Sequence, residues 1–415
     1  MDKRRYTITP VTGVHIGTGE ELTPLEYQIT STIGGKKIKP AYLKFSGERI
    51  LQRLFRDDKE ELSKFELASA ACGEGNILEL YKFFHTKCDF NDLDYYCDFT
   101  KGFLETYNAI LKGNPNQEKD PKKKKDPLKN AGIVLQMYRT EGTKNPVIPG
   151  SSIKGAIRTA LLNNYLKKLP PEEYRSKFAE FEDEQEEEKI KKDDKFKKFE
   201  NDLKNRLFEY TDAKKDPLRA VLFSDCSFKA DKTQLVGRLN NVTFDRQNKK
   251  LDPKKMQIQA EVLRGGLFGG EAEAELCITI NDKLQETPFS LQPEEKQECI
   301  KKIAFEDIHE SCNNFYWKEF KNEYDTFYKD VDDGSEEFIF ELFKKLQAAK
   351  DAKGQFIIRV GRWSQVEFVT FEKEFRKPKT RIVKGKELPY GTTRTLFDYN
   401  GKYAPMGWCI LTEKE

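Results

Sequence analysis

Apolar and polar residues alternate along the first part of the chain, and this pattern predicts β-strands. Over residues 4–16 the apolar side chains favour even positions, which is the period of a strand with one buried face. Two more strands are predicted at residues 26–32 and 36–40, with Gly34 and Gly35 as the turn between them. The pattern therefore indicates β-structure at this end of the molecule.

Apolar residues then recur at intervals of three and four, which predicts helices. Residues 45–111 are typical of a helical insertion, and residues 153–169 of a helix that stops before Pro170. Residues 172–210 are dense in Glu and Lys with a thin stripe of Phe, which favours a solvated helical hairpin. A further helical insertion, rich in Phe and Tyr, is predicted at residues 294–350.

Strand-like runs return in the second half of the sequence. They are predicted at residues 219–228, 242–245, 257–262, 271–280, 356–360, 366–371 and 408–411. Strands in both halves with helices between them are typical of an α+β fold rather than of one α/β sheet. We therefore expect two α+β modules, residues 1–215 with the first helical insertions and residues 216–415 with the last.

The length of 415 residues is enough for two domains or for one large domain with a packed core. The 30 Phe and 17 Tyr supply the burial that an ordered structure requires, which argues against a disordered chain. No apolar run approaches the roughly 18 residues that cross a bilayer. We therefore expect a cytoplasmic protein without a membrane partner.

The formal net charge of +3 is too small for the whole surface to attract a polyanion, so any nucleic-acid affinity must come from local patches. Residues 119–129 contain six Lys and two Asp, and they are either a mobile loop or a nucleic-acid contact. Residues 376–386, which include Arg381, are basic and contain no acid. With Arg362 and Trp363 nearby, they suit a groove for single-stranded nucleic acid, and a solubilising loop is the alternative.

The eight cysteines include no CxxC pair, which favours buried reduced thiols over a disulfide framework or a redox motif. Cys72, His85, Cys88 and Cys97 have the residue types of a zinc site, but their spacing matches no standard zinc finger. Asp225 is a lone carboxylate, which is poor evidence for a metal site. We therefore predict neither a metal nor a cofactor.

Residues 15–20, with the sequence HIGTGE, place two glycines directly after the first strand. Glycine lets the backbone approach a ligand closely, and consecutive amides in such a turn can hold a phosphate. Gly17 and Gly19 are therefore candidate binding residues, and a plain tight turn is the alternative. His15 could act alone as a general acid or base, but the sequence contains no hydrolase motif.

A second candidate site lies at residues 149–158, with the sequence PGSSIKGAIR. Ser152 is predicted to cap a helix whose free amides suit phosphate oxygens. Lys154 and Arg158 are four residues apart and share one helical face beside that end. Gly155 costs up to about 1 kcal/mol relative to Ala inside a helix, which indicates that something packs or binds close to it. An ordinary capped helix with solvated cations is the alternative.

Residues 263–270, with the sequence LRGGLFGG, form a third glycine-rich segment. It has neither the P-loop pattern nor the GxGxxG pattern, so nucleotide binding is not indicated. Arg264 and Phe268 could instead lay a cation and a stacking ring along a strand of RNA. A flexible hairpin loop is the alternative.

Taken in order, these motifs resemble those of the repeat-associated mysterious proteins (RAMPs) of type III CRISPR complexes. The resemblance rests on residues 15–20 and 148–159, together with Ser224-Asp225, Arg359-Val360-Gly361 and Met406-Gly407-Trp408. Over its whole length the chain is similar to the type III-A (Csm) subunit that caps the 3′ end of the guide RNA. The resemblance implies two ferredoxin-like modules, similar to RNA-recognition domains, that bind the guide without cutting it.

The same resemblance implies partners and contact residues. The partners are the guide (crRNA), the neighbouring RAMP backbone subunit, and recruited host nucleases that mature the 3′ end. The guide-binding residues that the first two motifs supply are His15, Gly17, Gly19, Ser151, Ser152, Lys154 and Arg158. The candidate RNA-binding residues from the other segments are Arg264, Arg362 and Arg381.

Three other hypotheses stay open. The chain could be a metal-independent repeat-RNA endoribonuclease that uses His15, as in related processing proteins of the superfamily. It could be the sister subunit of a type III-B complex, which shares the first two motifs. It could also be a structural subunit held by protein contacts alone, in which case reversing the charges of Lys154 and Arg158 would leave RNA retention unchanged.

Overall fold

The computed structural model describes most of the chain. The described residues are 1–56, 59–74, 76–112, 132–168, 201, 204, 207–208, 215–230, 234–286, 302–371, 381–383, 386–388 and 393–414. The lysine-rich segment 119–129 lies outside them, as do most of the predicted hairpin 172–210 and most of the basic segment 376–386.

The first half of the chain contains both strands and helices. Their order is β1 (Asp2–Pro10), β2 (Gly17–Leu22), β3 (Tyr27–Ile33), β4 (Lys36–Phe45), α1 (Gly47–Phe55), α2 (Lys59–Gly73), α3 (Ile77–Lys87), β5 (Leu93–Phe99), α4 (Lys101–Lys112), β6 (Val134–Met137), β7 (Val147–Ile148) and α5 (Gly150–Lys167). The hairpin predicted at Gly34 and Gly35 is confirmed, since both glycines have the positive φ values that such a turn requires.

The second half continues in the same way. Its elements are β8 (Val221–Phe223), β9 (Cys226–Ser227), β10 (Gln234–Asp245), β11 (Lys250–Leu263), β12 (Ala274–Ile280), α6 (Asp282–Glu286), α7 (Phe305–Glu323), α8 (Glu336–Asp351), β13 (Gln355–Arg359), β14 (Arg381–Val383), β15 (Lys386–Leu388), β16 (Arg394–Tyr399), β17 (Lys402–Pro405) and β18 (Trp408–Glu413). The prediction of a mixed α+β fold is confirmed. None of the helices in the described ranges has both the length and the apolar character needed to cross a membrane.

One antiparallel sheet joins the two ends of the chain. Its strand order is β13-β18-β1-β12-β8, so β1 lies between β12 and β18. Ile8 of β1 is opposite Ala274 on one side and Leu411 on the other. The strands come from both sides of residue 216, so the predicted boundary between residues 215 and 216 divides strands that belong to a single sheet.

Helices α5 and α7 belong to the same core as this sheet. Ile157 of α5 is buried in one cluster with Tyr6 of β1 and Trp408 of β18. The hydroxyl of Tyr316 on α7 donates a hydrogen bond of 3.1 Å to the carbonyl oxygen of Ala156, which ties the two helices together. Burial stabilises each large apolar side chain by about 1.5–3 kcal/mol, so this cluster holds α5 firmly against the sheet.

A second sheet of nine strands is built around the long hairpin of β10 and β11. β6 and β2 follow β11 on one side, and β5, β4 and β3 follow β10 on the other, while β16 and β17 branch from β10. The sequence pattern predicted only residues 242–245 and 257–262 of this hairpin. The register shifts between Asn240 and Val242, and this irregularity breaks the alternation on which the prediction relied.

The predicted insertion at 45–111 contains helices α1 to α4, but it also contains strand β5. Phe45, Ile50 and Phe84 form a separate core under α1 and α3. β5 was missed because a short apolar run does not by itself distinguish strand from helix. The strand predicted at 366–371 is wrong: Gln365 has a φ of +65°, and a 3-10 turn over Val366–Phe368 follows it.

Candidate nucleic-acid interface

Three glycine-bearing segments, distant in sequence, meet around one cleft of about 450 Å³. Its walls are the turn between β1 and β2, one face of α5 and the loop that follows β13. The lining residues are Ile16, Gly17, Ser152, Gly155, Ala156, Thr159, Arg359, Val360, Gly361, Arg362, Ser364, Phe368 and Val369. The structure therefore brings together three of the motifs on which the resemblance rests.

The loop after β13 is fastened to the first turn by backbone contacts. The amide of Arg362 donates to the carbonyl oxygen of His15 over 2.9 Å. Gly361 has a φ of +87°, and a Cβ atom there would lie 2.5 Å from the same oxygen, so only glycine fits. Gly407 of the closing motif makes a similar contact, because its amide donates to the Gly13 carbonyl oxygen over 2.8 Å.

Residues 361–365 have an unusual backbone conformation. Trp363 and Gln365 have φ values of +67° and +65°, in the left-handed region that non-glycine residues rarely adopt. The hydroxyl of Ser364 donates to the carbonyl oxygen of Gly361 over 2.7 Å and closes the turn. Strained backbone of this kind persists where the surrounding structure holds it, and it is common at ligand sites.

A buried ion network borders this loop. Glu323, at the end of α7, pairs through one carboxylate oxygen with Arg359 and through the other with Arg394, both over 2.9 Å. Arg394 also pairs with Glu367 over 3.1 Å. Arg359 donates through Nε to the carbonyl oxygen of Met406 over 2.8 Å. The two cations and two carboxylates balance one another, as buried charges must.

His15 is fully buried and has a fixed orientation. Its Nδ1 lies 2.7 Å from the carbonyl oxygen of Glu261, and its ring packs against Trp363 with 5.0 Å between the ring centroids. Burial lowers the pKa of His15 below its ordinary value of 6.5, so the imidazole is neutral near pH 7. The structure therefore presents no solvent-exposed imidazole at this position.

A second buried ion pair lies behind His15. Arg139 donates through Nη2 to Glu261 Oε2 over 3.0 Å, and the Tyr95 hydroxyl donates to Oε1 over 2.7 Å. The Met137 amide donates to Oε2 over 3.1 Å. This network joins β5, β6 and β11 behind the turn that carries His15. The sequence pattern did not predict this network, although a carboxylate inside the predicted strand 257–262 was an available signal.

The three histidines make the stability depend on pH. Burial lowers the pKa of His15, His85 and His309 in the folded protein. The unfolded chain therefore binds protons first, and the free energy of unfolding should fall as the pH decreases below about 6.5. Urea unfolding at about pH 7.5 and 5.5 would measure this loss. His309→Gln should show a shallower dependence, and equal stability at both pH values would contradict the expectation.

The N-terminus of α5 differs from its prediction. The helix begins at Gly150 with Pro149 at the N-cap position, so Ser152 lies within the first turn and does not cap it. The Gly150 amide donates to Asp225 Oδ1 over 2.7 Å, and a Cβ at Gly150 would lie 2.4 Å from the Phe223 carbonyl oxygen. A carboxylate of the chain itself therefore occupies the helix end where a phosphate was expected.

Lys154 and Arg158 share one face of α5 as predicted, but neither lines the cleft. Lys154 donates through Nζ to the carbonyl oxygen of Val221 over 3.3 Å, and burial lowers its pKa. Arg158 pairs with Asp216 over 2.6 Å and lies over the ring of Phe208. Their guide contacts stay predictions, while in the structure both side chains bind parts of the same chain.

Gly155 occupies the cleft side of α5. It is exposed, and among the described residues no atom outside its own stretch of helix lies within 4 Å of the position that a Cβ atom would take. No contact within the described part of the chain therefore requires a glycine here. The space that the missing side chain leaves belongs to the cleft. Ser152 also lines the cleft and is half-buried. Ser151 is exposed but does not line the cleft.

The third glycine-rich segment packs against the protein instead of opening toward a ligand. Phe268 is 1% exposed and stacks on Tyr399, so the predicted stacking of this ring on RNA is wrong. Gly265 is required because a Cβ there would lie 2.3 Å from the Thr12 carbonyl oxygen. Arg264 pairs with Asp98 over 2.9 Å.

The remaining candidates lie in different surroundings. Arg362 is exposed, lines the cleft and lies over the ring of Trp363. Gly19 has a φ of +91° with open space beside it, so the turn at the start of β2 is accessible. Arg381 begins β14, and its side chain lies outside the described residues.

The zinc candidates do not assemble in the part of the chain that the structure describes. No three His, Cys, Asp or Glu side chains converge there on a position that could hold a metal ion. His85 instead approaches the carbonyl oxygens of Pro24 and Tyr27 through Nε2, at 2.7 and 3.1 Å.

Comparison with known proteins places these features in a family. A family model of the RAMP superfamily matches residues 7–365. The fold is similar to a chain in the cryo-EM structure of a Csm–crRNA–target RNA ternary complex of a type III-A CRISPR-Cas system, with a TM-score of 0.57, 18% identity, and coverage of 99% of this chain and 100% of that chain. It is also similar to the crystal structure of Csm5 from T. onnurineus, with a TM-score of 0.52, 18% identity, and coverage of 97% of this chain and 99% of that chain. No curated protein matches the sequence.

Proposed function

The chain belongs to the RAMP superfamily, and on that basis we propose that it is a non-catalytic, guide-RNA-binding subunit of a type III-A CRISPR complex. In this role it caps the 3′ end of the crRNA, contacts the neighbouring RAMP backbone subunit and supports 3′-end maturation by recruited host nucleases, and so contributes to antiviral defence. The similarity of its fold to a chain of a Csm–crRNA–target RNA complex supports this assignment.

The observation that carries the proposal is the convergence of Gly17, Gly155 and Gly361 on one cleft. At a glycine the backbone of a ligand can approach the backbone of the protein closely. Arg362 adds an exposed positive charge, and contacts to phosphates dominate the affinity of proteins for nucleic acids. Such a cleft suits the sugar-phosphate backbone of a single strand rather than particular bases.

Replacing Arg362 by alanine is expected to weaken guide binding equally for all sequences. The side chain is exposed at the cleft and makes no ion pair with the described residues, so its charge is available to a phosphate. Loss of one phosphate contact should reduce the slope of log K against log salt by about 0.7 for a single strand. Fluorescence anisotropy with crRNA across a salt series would measure it.

Arg246→Ala is the matched control, because Arg246 is exposed in the turn between β10 and β11 and does not line the cleft. It removes the same charge and should leave the slope unchanged. An equal change of slope in both variants would argue for non-specific attraction in place of a contact at the cleft.

Replacing Gly155 by alanine is expected to stabilise the protein while weakening RNA binding. The Cβ position has no neighbour within 4 Å, and alanine in place of glycine inside a helix should raise the free energy of unfolding by about 0.5–1 kcal/mol. The methyl group would occupy the cleft, and leucine would occupy more of it, so the affinity should decrease from Gly to Ala to Leu.

Denaturant unfolding and RNA titration of the same preparations would test both parts. Gly73→Leu is the control, since Gly73 ends α2 with no atom within 4 Å of its Cβ position and does not line the cleft. If Gly155→Leu bound RNA as tightly as the natural chain, the cleft would not be the binding site.

Cleavage of repeat RNA by this chain is the main alternative. It would use His15, whose ring is buried and hydrogen-bonded through Nδ1 to a backbone carbonyl oxygen, and these contacts favour a structural role. We expect no cleavage when purified protein is incubated with repeat RNA. Cleavage by the natural chain that disappears in His15→Ala would overturn the proposal and identify the chain as an endoribonuclease that uses His15.

Purification of the chain from its native cells, with identification of the RNA and polypeptides that accompany it, tests the assignment most directly. We expect short guides with a common 5′ tag and the subunits of a type III-A complex. Type III-B subunits would identify the chain as the sister subunit. Retention of RNA that is unchanged by charge reversal at both Lys154 and Arg158 would favour a purely structural role.

We also propose that β1, α5, β8, β12, α7 and β18 form one ferredoxin-like module. Their order along the chain is the β-α-β-β-α-β order of that fold, with β1 central in the sheet. The second module that the resemblance implies would then be drawn from the nine-stranded sheet.

A further inference from the structure

Val369 places an exposed aliphatic side chain on the wall of the cleft. It lines the cleft and is 56% exposed. Arg362 is the other lining residue with an exposed side chain, because Gly17 and Gly155 are exposed but have none. A molecule in the cleft therefore meets one cation and one apolar group, and the proposed phosphate contact uses only the cation.

The backbone that presents Val369 is held on both sides. Phe368 before it is 1% exposed and packs edge-on against Trp408, with 5.3 Å between the ring centroids. Thr370 after it accepts, through its carbonyl oxygen, a hydrogen bond of 3.2 Å from Asn163 Nδ2 on α5. Because valine is also stiff at χ1, little conformational freedom is lost when a ligand covers this side chain.

The positive charge lies at the β1 side of the cleft. The Arg362 amide donates to the His15 carbonyl oxygen over 2.9 Å. Its guanidinium lies 5.3 Å from the centre of the Trp363 ring, and that ring packs against His15. A phosphate bound by Arg362 would therefore lie on the same side of the cleft as Gly17.

The apolar group lies further along α5. Asn163 donates through Nδ2 to the carbonyl oxygens of Thr159 and Thr370, at 2.9 and 3.2 Å. This side chain joins α5 to the residue after Val369. Ser152 begins the lining face of α5, about 10 Å of helix before Thr159. Val369 therefore lies beside the later end of that face, away from the positive charge.

A nucleotide has the same division of chemistry along its length. Its phosphate is anionic, whereas its base has two flat apolar faces, which every base shares. Ligand sites in proteins are concave and mostly apolar, with a few polar groups that fix the orientation of the ligand. The cleft fits this description, since Val360 and Phe368 also line it.

We propose that the cleft takes a nucleobase as well as a phosphate, and that the face of the base packs against Val369 where Gly155 leaves room on the α5 wall. The contact is independent of the identity of the base, because it uses only the apolar face. This inference rests on the proposed function, since it requires a nucleic-acid strand to occupy the cleft. It assigns to Val369 a binding role that the phosphate contact alone does not need.

The test compares oligouridylate with an abasic strand of the same length, which keeps the ribose and the phosphates but has no bases. The natural chain should bind the oligouridylate about tenfold more tightly, as expected for one base packed on a protein surface. Fluorescence anisotropy across a salt series measures both affinities. The slope of log K against log salt should be equal for the two strands, because both carry the same phosphates.

Val369→Ala and Val369→Thr should each lower the affinity for oligouridylate about fivefold, because apolar area in contact with the base is lost. Threonine has nearly the same volume as valine but replaces one methyl group by a hydroxyl group, so it tests the apolar character itself. Neither variant should change the affinity for the abasic strand or the salt slope. Leu222→Ala is the matched control, because Leu222 on β8 is 55% exposed and does not line the cleft.

The outcomes separate the inference from the proposed function. Equal affinity of the natural chain for the two strands would overturn the inference and leave the proposed function standing. Binding of neither strand would overturn both. A preference for oligouridylate that persists in both Val369 variants, or a loss that Leu222→Ala shares equally, would show that the base is held elsewhere and would overturn the inference alone.

Discussion

Replacing Glu323 by glutamine is expected to lower the free energy of unfolding by about 3–5 kcal/mol, because breaking a buried ion pair leaves an uncompensated charge. The carboxylate lies between two guanidinium groups, those of Arg359 and Arg394, at 2.9 Å from each. Its side chain is 1% exposed, so water cannot replace the lost interaction. Glutamine has the same shape, so the effect isolates the charge.

The same change should reduce RNA binding, since Arg359 lines the cleft and is continuous with residues 361–365. Urea unfolding and anisotropy with crRNA would measure the two effects. Glu341→Gln is the control, because Glu341 on α8 pairs with Lys344 and Lys345 at a site that is 46% exposed. Exposed pairs of this kind contribute about 0–1 kcal/mol. A loss below about 1 kcal/mol in Glu323→Gln would show that the two arginines do not depend on this carboxylate.

Replacing Gly361 by alanine is the second large change, with an expected loss of about 2–5 kcal/mol. Part of the loss is the strain of a non-glycine residue at a φ of +87°. The larger part is the contact at 2.5 Å between the new Cβ atom and the His15 carbonyl oxygen, which would push the two walls of the cleft apart. We therefore expect RNA binding to be lost even below the unfolding temperature.

Gly401→Ala separates the two contributions. Gly401 has a φ of +93°, and among the described residues no atom lies within 4 Å of its Cβ position. Alanine there therefore introduces backbone strain but no steric clash. It should lose about 1–2 kcal/mol and keep its affinity for RNA. Equal losses in the two variants would mean that the loop moves freely away from His15.

The local elements of the fold could be predicted from the sequence because their causes are local. The Gly34 and Gly35 turn needs only residues that accept positive φ, and the helix at α5 needs only an apolar stripe and a proline after it. The observed start of α5 at Gly150 differs by three residues from the predicted one, because the Asp225 carboxylate that holds the Gly150 amide lies far along the chain.

The direction of charged side chains could not be predicted. Spacing placed Lys154 and Arg158 on one face of α5, but it did not reveal that residues 216–221 cover that face. In the same way the segment 263–270 has the composition of an open loop, while Phe268 is buried in it. Both results depend on tertiary contacts between distant segments, which a single sequence does not encode in any local pattern.

The motifs of the cleft were identified one at a time, and their meeting point was not. Gly17, Gly155 and Gly361 are separated by more than a hundred residues at each step. Only the pairing of β1 with β18 and of β18 with β13 brings the last of them to the first. Residue identity therefore indicated candidate segments, and strand order decided which of them line the same cleft.

The pairing of β1 with β18 also bears on how the chain folds during its synthesis. β1 is synthesised long before residues 408–413, which cover one of its two edges. A nascent chain that stops earlier lacks this strand, and one that stops before Gly361 lacks a wall of the cleft as well. If the cleft binds guide RNA as proposed, chains that end before Gly361 should not bind it.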